Sequence, residues 1–352
     1  MTALATRRTL RFAAVVALSV TVAYGLGASF AFLAPMFAIL MTAAPSPPMP
    51  AKALFKLLLV VLVTLGIGLL LMPLLRYSPI TAVMLIAVGL YGSNYLSVGL
   101  GKGLVGTLLT IGLGMIPAAG LLEPQLARRL VTALPTAIAI AIVCQWLVYP
   151  WFPEDPRPAP ARPAPVVDRA QARWVALRAM LIVLPAVLLA FTNPTMYMAT
   201  ILKSTMLAQQ SSQVSARAAG HELLGSTFLA GCMAIVFWLA LKLWPSLWMY
   251  SLWMLLLAML VGARLYGVAR TRHPPSYWTN AAVTMLILLG PAIEDSLGRD
   301  PYDAFLVRFS LFIGVTLYAW FAIQTLDYLR ASRAGPSLPV YQHHVRSCCS
   351  TC

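Results

Sequence analysis

The sequence predicts an all-α polytopic membrane protein of about twelve transmembrane segments, arranged as two parallel six-helix repeats. Three observations carry this reading. Of the 352 residues, 60% are hydrophobic and only 10% charged, with a mean hydropathy of +0.82, outside the usual range of soluble domains. The apolar residues come in runs of about 20, the length that crosses a bilayer, divided by Gly, Pro and basic punctuation. Between two flanks of similar length lies PWFPEDPRPAPARPAPVVDRAQAR, residues 150–173. Its prolines lack backbone donors, so it is expected to be an extended, solvated connector. The division is then 1–149 as the first transmembrane half, 150–173 as a cytoplasmic linker, 174–328 as the second half and 329–352 as a cytoplasmic tail.

The segments of the first half are expected near 10–27, 29–44, 53–74, 79–97, 103–122 and 130–149. Those of the second half are expected near 175–191, 194–209, 219–243, 246–265, 276–292 and 305–326. The opening MTALATRRTLRFAAVVALSVTVAYGLGA has the basic start of a signal peptide. Its apolar run continues through Phe37 without a small-residue cleavage site, so it is read as a retained first helix. The second segment of each half is short and begins near a proline, Pro35 or Pro194, as a broken or tilted helix would.

Orientation follows from the basic residues. The chain carries 25 Lys and Arg against 10 Asp and Glu. Most of the cations, from Arg7, Arg8 and Arg11 through Lys52, Lys102, Arg178, Arg217 and Arg270 to Arg330, fall on one side of the proposed spans. The other side holds only Arg76, Arg128, Arg129, Lys242, Arg299 and Arg308. This positive-inside pattern places both termini and the linker in the cytoplasm, and the charge reads as membrane topology, not as a nucleic-acid surface. The halves rhyme where the fifth segment passes into the sixth. Pro117, Glu123-Pro124 and Arg128-Arg129 answer Pro291, Asp300-Pro301 and Arg308, and the arginine pairs Arg8/Arg11 and Arg173/Arg178 open each half. Halves with an even number of spans enter from the same side, which makes the repeat parallel.

Two stretches carry a family likeness. Arg217-Ala218-Ala219-Gly220-His221-Glu222-Leu223-Leu224-Gly225 opens the third helix of the second half, and Arg308-Phe309-Ser310-Leu311-Phe312-Ile313-Gly314 its last. With the two six-helix halves, this resembles the fusaric acid resistance and aromatic acid exporter (FUSC-like) superfamily over nearly the whole chain. Many members carry a sizeable cytoplasmic domain after each half; here only the Pro-rich linker and a short tail are present, so the likeness is to a compact branch. The resemblance implies a bacterial inner-membrane exporter of aromatic carboxylates or other toxic organic compounds, often working beside a periplasmic adaptor of the membrane-fusion type.

Candidate site residues follow from the cost of ionisable groups in a bilayer, about 2.5–3.5 kcal/mol each on insertion scales. In PTMYMATILKSTMLAQQSSQ, helical spacing sets Thr200, Lys203 and Gln210 on one face with Ser204 beside them. Such a stripe could line a solute path and offer a cation to an organic anion; the plainer reading is that Lys203 snorkels to the interface. Arg217, His221 and Glu222 cluster at the cytoplasmic mouth of the third helix of the second half. His221 and Glu222 could couple proton entry to solute exit, or the three could be an ordinary helix start, with Glu near the positive dipole end and Arg on lipid phosphates. Arg128, Arg129 and Arg308 occupy equivalent places at the outer side, as an anion-attracting ring or as partners of nearby acids such as Asp303.

Other features are assigned to structure. The GxGxxG of Gly101, Gly103 and Gly106 lacks a Rossmann context and reads as close helix packing. His343, His344, Cys348, Cys349 and Cys352 form a reduced tail in the default reading, with metal binding or lipidation as the lesser one. No nucleophile elbow or HExxH occurs, so no enzyme, cofactor or resident metal is expected. The expected partners are membrane lipids, a small organic anion and an adaptor; Gly-rich faces could serve a homo-oligomer or internal packing equally. The rival readings are a passive anion channel and a non-transporting membrane scaffold or assembly protein.

Overall fold

A computed structural model of the chain describes residues 3–154, 169–211, 216–295 and 301–333. Among the described residues there are twelve α-helices and no strand. They are α1 (Ala3–Gly25), α2 (Leu33–Thr42), α3 (Ala51–Tyr77), α4 (Pro79–Gly99), α5 (Gly103–Leu122) and α6 (Pro124–Val148). After the linker come α7 (Arg169–Thr192), α8 (Pro194–Ser211), α9 (Ala216–Leu243), α10 (Leu247–Leu265), α11 (Pro275–Asp295) and α12 (Pro301–Arg333). Several helices run past the apolar runs that announced them. α6 starts at Pro124, before the expected 130, and α7 starts at Arg169, inside the stretch expected to be connector. Hydropathy marks the lipid-compatible part of a helix, whereas the hydrogen-bonded ladder continues into polar turns; Pro124 at the first position of α6 and Pro79 at that of α4 supply the pre-set φ that helix starts tolerate. The central linker (155–168) and the Cys-rich tail lie outside the described residues.

Eight of the described helices are long and apolar enough to cross a bilayer: α3, α4, α5, α6, α7, α9, α10 and α12. The chain is thus a multi-pass helical membrane protein by composition and fold. α2 has only ten residues, a rise of about 15 Å, half the hydrocarbon thickness. It is entered through non-helical residues 26–32, where Gly27 and Phe30 take φ of 63° and 54°, and it is sunk in protein: Phe32, Leu33, Met36 and Phe37 are all buried. Irregular backbone at such depth is tolerated when packed against other helices. Phe32 lies where a side chain at Gly290 of α11 would have to go, since a Cβ there would come within 2.2 Å of its ring.

The helices interlock within each half and across the linker. α1 packs on α10 and α7 on α4; α3 packs on α5 and α9 on α11; α5 meets α8, and α11 meets α2. Close approach depends on small residues, as expected where lipid gives no hydrophobic drive between helices. A Cβ on Gly112 of α5 would stand 2.6 Å from the Thr64 carbonyl oxygen of α3, and one on Gly68 of α3 would stand 2.2 Å from the Gly112 carbonyl oxygen. Gly106, from the GxGxxG run, fits against α4 in the same way, its Cβ position 2.4 Å from the Ser93 carbonyl oxygen. α5 is 78% buried over its apolar window, whereas α3 and α4 are 33% buried and turn Leu59, Leu62, Leu70, Met84 and Val88 outward.

At one end of the bundle each opening helix is tied to the close of its own half. Arg8 and Arg11 of α1 both bind Glu154, just after α6: Arg8 Nε donates at 2.7 Å and Arg11 donates at 2.8 Å. Arg178 of α7 donates to both oxygens of Asp327 on α12, at 3.1 and 2.9 Å. A ring lies beside each pair, Tyr149 at 5.6 Å from Arg11 and Trp174 at 5.5 Å from Arg330. Burial alone would push the Glu154 carboxyl up, but hydrogen bonds from Arg8 and Arg11 and their charges outweigh it and hold the carboxyl below its ordinary range.

Two outcomes follow. Gly112→Val should lower the stability of the purified protein by about 1–3 kcal/mol through overpacking, read as a lower melting temperature in detergent, while Gly92→Val, with open space around its Cβ position, should leave it near wild type. Because folding depresses the Glu154 pKa, its contribution is complete above the ordinary carboxylate range and is lost as pH falls through the depressed value. The wild type should therefore lose melting temperature between neutrality and about pH 3, whereas Glu154→Gln should start lower at neutral pH and fall less.

Candidate functional site

α8 is the helix around which the polar interior is built. Pro194 opens it, and it is packed by α5, α7, α9, α11 and α12, so every residue from 200 to 208 is buried, polar ones included. Lys203 is 0% exposed. The snorkelling reading is therefore corrected: surrounded by five helices, the side chain has no path to an interface. Its ammonium group reaches α11, donating to Thr284 Oγ1 at 2.8 Å and Asn280 Oδ1 at 3.5 Å. Thr284 and Asn280 stand one helical turn apart, and Thr284 Oγ1 donates to Asn280 Oδ1 at 3.3 Å. The Asn280 amide nitrogen then donates to Ser226 Oγ on α9 at 2.5 Å, and Ser226 donates to the Leu223 carbonyl oxygen at 3.1 Å. Donors thus run in one direction, from Lys203 through α11 to the backbone of α9.

The remaining calls divide. Thr200 is buried, but its hydroxyl bonds to the Tyr197 carbonyl oxygen of its own helix and not to Lys203. Ser204 and Thr205 likewise bond to Ile201. The side chains of Gln210, Arg217 and His221 lie outside the described residues. Glu222 is half-buried in the first turns of α9, one turn before Ser226. Arg128 and Arg129 are exposed on α6, and Arg308 is half-buried on α12. α6 packs on α1, α2, α3 and α5, and α12 packs on α7, α8, α9 and α11, the same set with six added, so these arginines lie on helices with corresponding neighbours in the two halves.

Asn280, Thr284 and Ser226 were not among the sequence candidates. The argument that singled out Lys203 applies to them: a polar side chain in an apolar helix must be hydrogen-bonded, and Asn280 and Thr284 have the spacing of one face. What sequence could not give is that this face meets α8.

Among the described residues no carboxylate lies within salt-bridge distance of Lys203, while Arg8, Arg11 and Arg178 have theirs. Neutral oxygens would leave a positive charge there uncompensated, and an unpaired buried charge costs several kcal/mol. The ammonium group has three donors and uses two of them on Thr284 and Asn280, which leaves one for a further acceptor. Replacing Lys203 by Met should leave the ligand-free protein as stable as wild type or up to about 4 kcal/mol more stable. Asn280→Leu, which takes an acceptor from the ammonium group and leaves Ser226 without its donor, should cost about 1–3 kcal/mol; thermal melting of both in the same detergent checks the contrast.

Comparison with known proteins is limited to one family. Residues 8–148 match the family described as a protein of unknown function, DUF2955, a stretch that runs from Arg8 in α1 to the last residue of α6. No curated protein and no solved structure matches the chain.

Proposed function

We propose that the chain is the permease of an efflux system in a bacterial inner membrane, exporting aromatic carboxylates or related organic anions. The observation that carries this reading is Lys203: a wholly buried cation, held by neutral oxygens, at the centre of a helical membrane protein. Such a group is costly for stability and is suited to meeting an anion. The FUSC-like resemblance points to the same chemistry. Twelve spans in two parallel halves are supported by the helix pairings, most of which map onto another when six is added to the helix number, counted cyclically: α1 with α10 becomes α7 with α4, and α3 with α5 becomes α9 with α11.

In this reading the termini, the Arg8/Arg11–Glu154 and Arg178–Asp327 ties and the start of α9 face the cytoplasm, in keeping with the positive-inside distribution. The anion enters near Arg217 and Glu222, binds at Lys203 and leaves past Arg128, Arg129 and Arg308. Glu222, one turn from Ser226 and so from the hydrogen-bonded line to Lys203, is the candidate coupling group together with His221. A membrane-fusion-type adaptor would carry the solute onward, and the polypeptide itself performs no covalent chemistry.

The test is flux of a panel of aromatic carboxylates from proteoliposomes containing the purified chain, with and without an imposed proton gradient. Gradient-dependent flux is expected, falling about ten- to a hundredfold in Lys203→Gln, the factor that ~1.5–3 kcal/mol of charged hydrogen bond represents. Flux that ignores the gradient and reverses at the anion's equilibrium potential would make it a passive channel. No flux from folded protein would favour a scaffold.

A further inference from the structure

A second polar cavity lies at the end of the bundle where α1 begins, apart from Lys203, and it is lined by donors. Its walls are Arg11 of α1, Thr42 at the end of α2, Ser46 in the 43–50 connection, and Gln145 and Tyr149 at the end of α6. Arg11 and Gln145 are 5% and 8% exposed. The 43–50 connection is strapped over α6 by a hydrogen bond from Trp146 Nε1 to the Met49 carbonyl oxygen at 2.7 Å. Tyr266 on α10 fixes the Thr42 carbonyl oxygen by a bond of 2.6 Å, so the cavity is bounded by fastened elements.

Within it the Gln145 amide nitrogen is buried with no hydrogen-bond partner among the described residues. A buried donor left unmade costs about 1–3 kcal/mol, and a buried polar group of this kind calls for an explanation. The charge balance indicates which ligand would answer it. Arg8 and Arg11 share the one carboxylate of Glu154, which among the described residues leaves two cations to one anion. The Thr42 hydroxyl is turned to the Ala38 carbonyl oxygen of its own helix. The unmet donor is therefore the Gln145 amide nitrogen, and beside it the cavity is lined by Ser46 and by Arg11, whose guanidinium also donates to Glu154 and, at 3.5 Å, to the Phe152 carbonyl oxygen. The space admits a group about the size of one water, so a ligand enters by a single oxygen and keeps the rest of its body outside. Exposed Lys52 and Lys56 stand just beyond the strap, on the first turns of α3.

We propose that this cavity is an oxyanion site, in which one phosphate oxygen accepts from Gln145 Nε2 and the Arg11 guanidinium and joins α1, α2 and α6. The phosphate belongs to an anionic lipid headgroup or to free phosphate, the two sources of one chemistry. This does not rest on the transport reading, and neither outcome at Lys203 alters it.

The test uses the full chain purified in detergent, its melting temperature followed with added phosphatidylglycerol, with inorganic phosphate, and with a neutral glycolipid as control. Phosphatidylglycerol is expected to raise the wild-type melting temperature above the glycolipid control; a matching rise with inorganic phosphate would assign the site to free oxyanion, and no rise with it would assign the headgroup. Gln145→Leu, which removes the unmet donor, should melt at or above wild type without anion and lose at least half of the anion-induced shift. Gln145→Glu, whose carboxylate meets Arg11 from within, should lose the shift altogether. Absence of any wild-type shift beyond the glycolipid, or a full shift in both variants, would overturn the proposal and leave the cavity to water.

Discussion

The ammonium group of Lys203 sets the terms for the interior of this protein. A charge that deep finds no water, so each of its contacts must come from a neighbouring helix, and the acceptors it finds are on α11. Asn280 then needs an acceptor for its own amide nitrogen and takes Ser226 of α9. Three helices are in this way held by one chain of donors, and the geometry of each hydrogen bond fixes which faces of α8, α9 and α11 meet. The hydrophobic surface of those helices could be buried in many rotations; the polar line selects one. The line ends in a lysine with no carboxylate within salt-bridge distance among the described residues, the feature on which the proposed anion site rests.

Around that line the packing relies on small residues and on pairings both within the halves and across the linker. α1 rests on α10 and α7 on α4, so one hydrophobic core runs through both sequence halves. Glycines bring α3 onto α5 and α5 onto α4 at distances a side chain would forbid. The ties at the bundle end act in the other direction, within halves: Arg8 and Arg11 hold the close of α6, and Arg178 holds α12. Each half is therefore clasped to itself at one end and interleaved with the other along its length.

The short helix α2 shows how the fold tolerates an incomplete span. Ten helical residues and a non-helical entry would be untenable against lipid, yet Phe32, Leu33 and Phe37 are wholly enclosed and Gly290 gives Phe32 room. The same enclosure brings the end of α2 beside Arg11 and Gln145, where the strap of residues 43–50 crosses α6. A broken helix, an ion cluster and an unmet amide thus share one end of the bundle, separated from the Lys203 site.

Much of the architecture was readable from the chain. Apolar runs of spanning length gave twelve helices in the right order, because backbone groups in lipid have no partner except their own helix; Pro35 marked the short α2, whereas α8, opened by Pro194, runs for 18 residues, and the cost of a charge in an apolar run singled out Lys203. Composition could not separate a lysine that reaches the interface from one that is enclosed, since that depends on whether α8 faces lipid or five other helices. Nor could it find Asn280, Thr284 and Ser226, whose significance lies in a meeting of faces from segments far apart in sequence, or pair Glu154 with two arginines at the other end of the first half. The sequence by itself determined which segments are helical and which residues are too polar to be left to lipid. Only the tertiary structure decided which of those residues meet, because rotation of each helix about its axis is fixed by close glycine contacts and hydrogen bonds between helices, and not by hydropathy.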